Sequence, residues 1–213
     1  MKTSQIETWT GEFGRDYTDR NALDVEQLNA LCLNNYGVSR KSLNQDFLSG
    51  IRKEARILEV GCNMGNQLLL LKEMGFQNLH GIEIQSYALE KARARVPGAS
   101  LSEATAFDIP YPDGYFDLVF TSGVLIHIAP DDLPNAMKEI HRCTRSYIWG
   151  LEYHAPEMTE VNYRGHDQLL WKMDYPKFYL QQFADLELVK SQALSYLQNG
   201  NMDVMFLLRK KSG

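Results

Sequence analysis

Three carboxylates and a pair of glycines in the middle of the chain have the types and spacing to do chemistry. Glu59 closes the apolar run RILEV (56–60) and is followed by Gly61, Asn63 and Gly65 in EVGCNMGNQ. Glu83 ends HGIEI, twenty-two residues after Gly61, where an acidic side chain can accept both hydroxyls of a ribose. Asp108, in ATAFDIPYPDGYFD, precedes the next strand, where a carboxylate can accept a proton from an adenine amine. The turn is not a dinucleotide cradle, which would put glycines at 61, 63 and 66; this chain has Asn63 and Asn66. Nor is it a phosphate loop, since no Gly-Lys-Ser/Thr follows. Asn63 can still make the turn, because asparagine tolerates positive φ better than most residues.

A ribose acceptor, an adenine acceptor and a turn without a pyrophosphate site suit a nucleoside carrying a compact charged group. S-adenosylmethionine, with its sulfonium and amino-acid tail, is such a ligand. A carboxylate at Glu59, beside a buried turn, is costly without a partner, so a role beside the ligand is preferred over a plain strand end.

The elements that must position these residues follow from periodicity. RILEV (56–60), NLHGIEI (78–84), a weaker SLSEAT (100–105), YFDLVFTS (115–122) and RSYIWGLEY (145–153) read as strands. Helical spacing fills 66–74, 86–96 and 131–142 between them. This alternation predicts βαβ units and a parallel sheet covered on both faces. LELVKSQALSY (186–196) and MDVMFLLRK (202–210), joined at Asn199-Gly200-Asn201, read as a terminal antiparallel hairpin. Upstream, 24–49 reads as amphipathic helix broken near Gly37.

EVGCNMGNQ, GIEIQSYALEKAR and FDIPYPDGYFDLVFTSGVLIHI together resemble the class I S-adenosylmethionine-dependent methyltransferases. WTGEFGRDYTDRN and YRGHDQLLWKMDY extend the likeness to the methylases associated with pseudaminic acid biosynthesis, a bacterial group tied to nine-carbon sugars. The resemblance implies a Rossmann-like α/β fold with a seven-stranded sheet. It divides one domain, 1–213, into a helical lid (1–50), a cofactor-binding core (51–153), a substrate cap (154–182) and the hairpin (183–213). Cofactor contacts are then expected from Tyr17 and Arg20 of the lid, and from Glu59, Gly61, Cys62, Asn63, Glu83, Ile84, Asp108, Ile109 and Ser122. Arg20 would meet a carboxylate, and Trp9 and Phe13 would pack the lid down.

His127 in VLIHI has two readings, a substrate contact or a core histidine bonded to backbone. With Glu152 and His166 it completes the candidate bases, needed if the acceptor is a hydroxyl. The stretch 152–179 is long for a connection and rich in polar aromatic and basic side chains, as active-site caps often are. Its sharp reading is a pocket for an anionic, hydroxylated metabolite such as a nonulosonic-type sugar, with Tyr153, Tyr163, Arg164 and Lys172 as contacts. Arg164 would be the bidentate clamp; the bland reading is a solvated helix pair.

The bulk properties exclude several classes. The chain has 213 residues, enough for one sizeable core, and carries 22 basic against 27 acidic residues. A net charge of −5 argues against nucleic acid or an anionic membrane as partner. No apolar run is long enough to span a bilayer or to serve as a signal segment. Cys32, Cys62 and Cys143 lack metal-ligand spacing, so no metal is expected, and they suit a reducing, cytoplasmic setting. Two alternatives to methyl transfer are kept: a non-catalytic S-adenosylmethionine-binding partner of a sugar-pathway enzyme, and a nicotinamide dehydrogenase, which Asn63 and Asn66 disfavour.

Overall fold

The computed structural model describes residues 3–211. Four helices open the chain: α1 (Ser4–Thr10), α2 (Glu12–Arg20), α3 (Val25–Tyr36) and α4 (Arg40–Phe47). Asp24 starts α3 with a capping box, its side chain accepting from Gln27 N–H at 2.8 Å while Gln27 accepts from Asp24 N–H. Gly37, at φ 74°, ends it in the left-handed conformation, which is the break the sequence predicts.

The alternating pattern then forms β1 (Arg56–Val60), α5 (Asn66–Glu73), β2 (Asn78–Glu83), α6 (Ser86–Arg95), β3 (Ser100–Glu103), β4 (Phe116–Ser122), α7 (Leu133–Cys143) and β5 (Thr144–Tyr153). A small antiparallel pair, β6 (Thr159–Glu160) and β7 (Trp171–Lys172), precedes α8 (Tyr175–Gln182), and β8 (Leu186–Ser195) and β9 (Met202–Lys210) close the chain. The main sheet runs β3-β2-β1-β4-β5-β9-β8, parallel through β5 and antiparallel over the last two strands. This is the α/β, seven-stranded sheet with a terminal hairpin that the alternation predicts. The strand order reverses between β1 and β4, and the loops after the parallel strands all emerge on that carboxyl edge.

Side chains alternate between two apolar layers, as strands buried on both faces require. Leu58, Val60, Phe206 and Leu208 face α7 and α8, while Ile57, Met205 and Leu207 face α4 and α5. Each such fully buried side chain contributes roughly 1.5–3 kcal/mol.

The expected cap, 154–182, divides differently in the structure. Its second part is α8, capped by Asp174, whose carboxylate accepts from Lys177 N–H at 3.0 Å. Tyr175 and Tyr179, one helical turn apart, are buried with Met137 and Phe206 in the main core. Helix α8 therefore belongs to the wall of the sheet, and only the β6–β7 hairpin stands over the carboxyl edge. No described helix is long and apolar enough to cross a membrane.

Candidate functional site

The loops on the carboxyl edge and helices α1–α4 enclose a cavity of about 400 Å³, in the size range of small-ligand sites. Its floor is the β1–α5 turn. Gly61 (φ 72°), Asn63 (φ 45°) and Gly65 (φ 79°) all take positive φ. At Gly61 a β-carbon would lie 2.7 Å from Val124 Cγ2, so contact as well as conformation requires glycine there. Asn63 makes the same turn with a side chain that is fully used. Its Oδ1 accepts from Met64 N–H at 2.8 Å, and its Nδ2 donates to Thr18 Oγ1 of α2 at 2.9 Å.

Glu83, at the end of β2, is buried beside this turn. Its two oxygens accept from the backbone N–H groups of Asn63 (2.8 Å) and Gln85 (2.9 Å). Burial raises its carboxyl above the ordinary range, and those backbone bonds oppose the rise. Two N–H groups fix the carboxylate's orientation, and each oxygen keeps a further lone pair for a ligand hydroxyl.

Glu59 is 3% exposed, and its Oε2 has no partner in the structure. Burial pushes its carboxyl well above the ordinary range, with Arg40 pulling it back. Arg40, buried at the start of α4, points its guanidinium into the cavity, where Nε donates to Asn44 Oδ1 (3.2 Å) and Nη2 to Ser122 Oγ (3.1 Å). The spacing over 24–49 marks an amphipathic helix and does not single out Arg40. The guanidinium expected in the cavity, that of Arg20, is exposed and outside it. Helix α2 buries Gly14 and Thr18 inward, which turns Arg20 to solvent.

Helices α1 and α2 form the roof. Trp9 and Tyr17 line the cavity and meet edge to face, 5.1 Å between ring centroids. Gln85 Nε2 donates to the carbonyls of Trp9, Thr10 and Gly11 at 3.1–3.2 Å, holding the end of α1 onto the β2–α6 turn. Gly14 is a close approach: a β-carbon there would sit 1.8 Å from Trp9 O. The roof is thus tied to both ligand turns, through Gln85 and through Asn63.

Ile84, Cys62, Ser122 and Tyr153 also line the cavity, and burial keeps the Cys62 thiol protonated. Asp108 and Ile109 do not. Asp108 is exposed beyond a turn bridged to Thr105, and Ile109 is buried in the core with its N–H on Glu139 Oε2. The Thr105 hydroxyl and the segment 104–107 take the place expected of Asp108, because β3 ends at Glu103 and the chain turns back immediately.

Of the three candidate bases, only His127 reaches the cavity. Its Nδ1 is 2.7 Å from Leu169 O, which places the proton on Nδ1 and leaves Nε2 as an acceptor. Burial lowers its pKa to about 4, so the ring is neutral at pH 7. Glu152 lies on the opposite face of β5 from Tyr153. Its carboxylate accepts from Val124 N–H at 3.0 Å and caps the short 3-10 turn Leu125–His127, a positioning role rather than contact with a ligand. His166 is exposed with its ring 4.9 Å from Phe13.

The cap contributes no cation to the cavity. Tyr163 and His166 bridge the hairpin tip, where Arg164 (φ 53°) and Gly165 (φ 86°) make the turn and the Arg164 side chain is exposed. Tyr163 packs against Phe13 and His127. Lys172 donates to Asn201 Oδ1 at 2.6 Å, outside the cavity. Among the described residues, no three His, Cys, Asp or Glu side chains are grouped to hold a metal ion.

Residues 58–147 match the family model described as Methyltransferase domain. The chain is similar to an uncharacterized methyltransferase of Synechocystis, 31% identical over 41% of each chain. It is also similar to the phosphoethanolamine N-methyltransferase of Plasmodium falciparum, 26% identical over 46% of this chain and 36% of that one. It thus spans about two fifths of the length of these curated relatives. Among solved structures, it superposes on the 1,6-didemethyltoxoflavin-N1-methyltransferase of Burkholderia thailandensis, with bound S-adenosylhomocysteine, at a TM-score of 0.74. That match covers all of this chain and 92% of the other at 16% identity. The chain has the methyltransferase fold. Its carboxyl-edge cavity occupies the place where open α/β sheets bind their ligands.

Proposed function

We propose that this chain is an S-adenosylmethionine-dependent methyltransferase acting on a small polar metabolite. The observation that carries the reading is the pair of buried carboxylates flanking the β1–α5 turn. Glu83 is held by two N–H groups with acceptor capacity to spare, and Glu59 carries an oxygen with no partner. The first suits the two ribose hydroxyls and the second the ammonium of the methionine tail. Arg40 and Ser122 take the tail's carboxylate, since Arg40 is the one guanidinium lining the cavity among the described residues. Thr105, Ile84 and Phe107 bound the adenine end.

Bound there, S-adenosylmethionine supplies an electrophilic methyl group open to in-line attack. The protein's contribution is position and exclusion of water. Trp9 and Tyr17 close the roof, and Glu152 fixes the 3-10 turn that carries His127. His127 Nε2 accepts a hydrogen bond from the acceptor's nucleophilic group. With a pKa of about 4 it aligns a hydroxyl or amine better than it retains a proton.

The acceptor is small and hydroxylated or aminated, because Tyr36, Tyr153, Tyr196 and Asp203 line the cavity's far end. A nonulosonic-type sugar is the specific candidate. It rests on the sequence resemblance, and the carboxylate clamp expected at Arg164 has no counterpart in the cavity.

Calorimetric titration with S-adenosylhomocysteine and with NAD tests the cofactor. Saturable binding of the first alone is expected; binding of NAD alone would replace this reading with the dehydrogenase. Incubation with methyl-labelled cofactor and a panel of amino sugars, sugar acids and nucleotide sugars, read by mass spectrometry, tests catalysis. Tight cofactor binding with no labelled product across the panel would favour a binding partner without catalysis.

A further inference from the structure

The far end of the cavity holds a second buried carboxylate cluster. Strands β1, β4, β5 and β9 are consecutive in the sheet, and at about 4.8 Å per step β9 lies about 14 Å from β1. Asp203 pairs in register with Tyr153 at the carboxyl end of β5, so it lines the cavity well away from Glu59 and Glu83. It is 4% exposed. Its Oδ2 accepts from Tyr36 OH at 2.5 Å and from Tyr196 OH at 3.3 Å, and the two tyrosine hydroxyls are 3.2 Å apart. Its Oδ1 has no partner at all.

The lock between α3 and the terminal hairpin uses only Oδ2 and leaves the other oxygen of a cavity-lining carboxylate unpaired. An unpaired buried acceptor costs folding free energy, and such a cost is retained where a ligand repays it. Asp203 lines the cavity, and the two tyrosines hold its carboxylate in one orientation through Oδ2, which leaves Oδ1 as the acceptor still to be paired. The surroundings say what kind of donor fits. Glu59, Glu83, Asp132 and Asp203 line the cavity, against the single guanidinium of Arg40. Lys172, outside the lining, bonds Asn201 and lies over the Tyr153 ring, and its charge and that of Arg40 oppose the burial of the Asp203 carboxylate. The cavity is therefore acidic, and a basic nitrogen gains more from it than a hydroxyl does.

We infer that Asp203, held by Tyr36 and Tyr196, is the specificity-determining acceptor subsite and takes an N–H of an amine-bearing substrate on Oδ1. This rests on the methyltransferase reading, in which the nucleoside occupies the β1–β2 end and the acceptor enters beside β5 and β9. It replaces an anion clamp on the cap with a cation-selective contact inside the fold.

The test uses the full chain saturated with S-adenosylhomocysteine and three probe pairs that exchange an amino for a hydroxyl group: glucosamine and glucose, glycine and glycolate, ethanolamine and ethylene glycol. Association is followed by ligand-observed NMR and by thermal stabilisation. The amine member of at least one pair is expected to bind better than its alcohol. Asp203→Asn, which still accepts from Tyr36 and preserves the packing, is expected to lose that preference, with association of the amine falling about 10- to 100-fold. Tyr36→Phe should produce a smaller loss in the same direction. Equal binding within every pair, or an alcohol preference, overturns the amine assignment. An amine preference that survives in Asp203→Asn overturns the assignment to this residue and leaves the cluster as a lock between α3 and β9. S-adenosylhomocysteine affinity, measured alongside, stays at the wild-type value in both variants. If the wild type does not bind S-adenosylhomocysteine, the cofactor reading fails instead, and the probe pairs measured without it still report on Asp203.

Discussion

Two turns in this molecule that contain left-handed glycines also put a non-glycine residue into the left-handed region, and they have opposite consequences. In the β1–α5 turn, Asn63 sits at φ 45° next to the buried carboxylates, with its amide bonded to Met64 N–H and to Thr18 of the roof. At the hairpin tip, Arg164 sits at φ 53°, exposed, with its guanidinium 6.0 Å from the Tyr163 ring centroid. The backbone conformations are nearly the same. The difference lies in what the side chain reaches: Asn63 joins the floor of the cavity to its roof, whereas Arg164 closes a surface hairpin. Positive φ locates a turn, and the burial and hydrogen bonds of the side chain say whether that turn belongs to a site.

The largest expected effect separates the two regions by their arginines. Arg40→Ala should weaken S-adenosylhomocysteine binding by about 2–4 kcal/mol, the range for losing one side of a buried charged hydrogen-bond pair. Arg164→Ala should leave affinity and methyl transfer within about 0.5 kcal/mol of wild type, as for other exposed side chains. The reverse result in calorimetry would move the anion site back to the hairpin.

Next in size, Glu83→Ala should cost about 1.5–3 kcal/mol of cofactor affinity, through lost charged hydrogen bonds. Glu83→Gln should recover part of it, because the amide oxygen can still accept. Unchanged binding in both variants would remove the ribose assignment.

The same contrast explains what the sequence disclosed. The β1–α5 turn and Glu83 were legible because the sheet's alternation is a strong periodic signal, and the end of a parallel strand is a place defined by topology. Arg40 was not, since nothing local marks a helix-opening arginine as buried; its burial comes from packing α4 against the sheet at Trp149 and Ser122. Asp203 and Tyr36 lie far apart in the chain and meet only when the hairpin docks on α3. Asp108 lies outside the cavity while Thr105 lines it, because β3 ends at Glu103 and the chain turns back before reaching Asp108, which no local pattern in the sequence marks. The cap misled most. Its polar content suited a pocket, but the two-residue strands turn Arg164, His166 and Lys172 outward, while α8 keeps its tyrosines for the core.

A smaller effect concerns the loop that carries His127. Burial raises the Glu152 carboxyl from its ordinary 4.5 to about 7 despite bonds from Thr121 and Val124. A carboxyl raised on folding stabilises the protein fully below its unfolded pKa and loses that contribution as pH rises through the folded value. Stability should therefore fall between about pH 4.5 and 7 on this account, by about 2 kcal/mol when the full shift is discounted for relaxation. His127, lowered to about 4, acts oppositely over the same range, so the comparison has to be between variants. Denaturant unfolding across pH 5–8 should show the stability of Glu152→Gln rising relative to wild type by about 2 kcal/mol as pH increases. Parallel profiles would mean that Glu152 titrates alike in the folded and unfolded chains.

The smallest effects test the two turns directly. Glycine relieves a positive φ, so the conformational part of the change is favourable at both positions. At Arg164 only a long, exposed contact with the Tyr163 ring is lost, and Arg164→Gly should be neutral to about 0.5 kcal/mol stabilising, with the hairpin bridge between Tyr163 and His166 intact. At Asn63 the same relief comes with the loss of two hydrogen bonds, each worth about 1 kcal/mol, one of them to the buried Thr18 hydroxyl. Global stability of Asn63→Gly should consequently change little, because gain and loss nearly cancel. What should change is the attachment of the roof. With Thr18 released and the roof held by Gln85, by Gln5 on Gln168 O and by Asp19 on Tyr87 and Lys91, amides in α1 and α2 should exchange about fivefold faster, equivalent to about 1 kcal/mol of local opening. S-adenosylhomocysteine should restore part of that protection by drawing Trp9 and Tyr17 back over the cavity. If exchange in α1 and α2 is the same in Asn63→Gly as in wild type, the Asn63–Thr18 bond does not couple floor to roof, and the two turns differ in location alone.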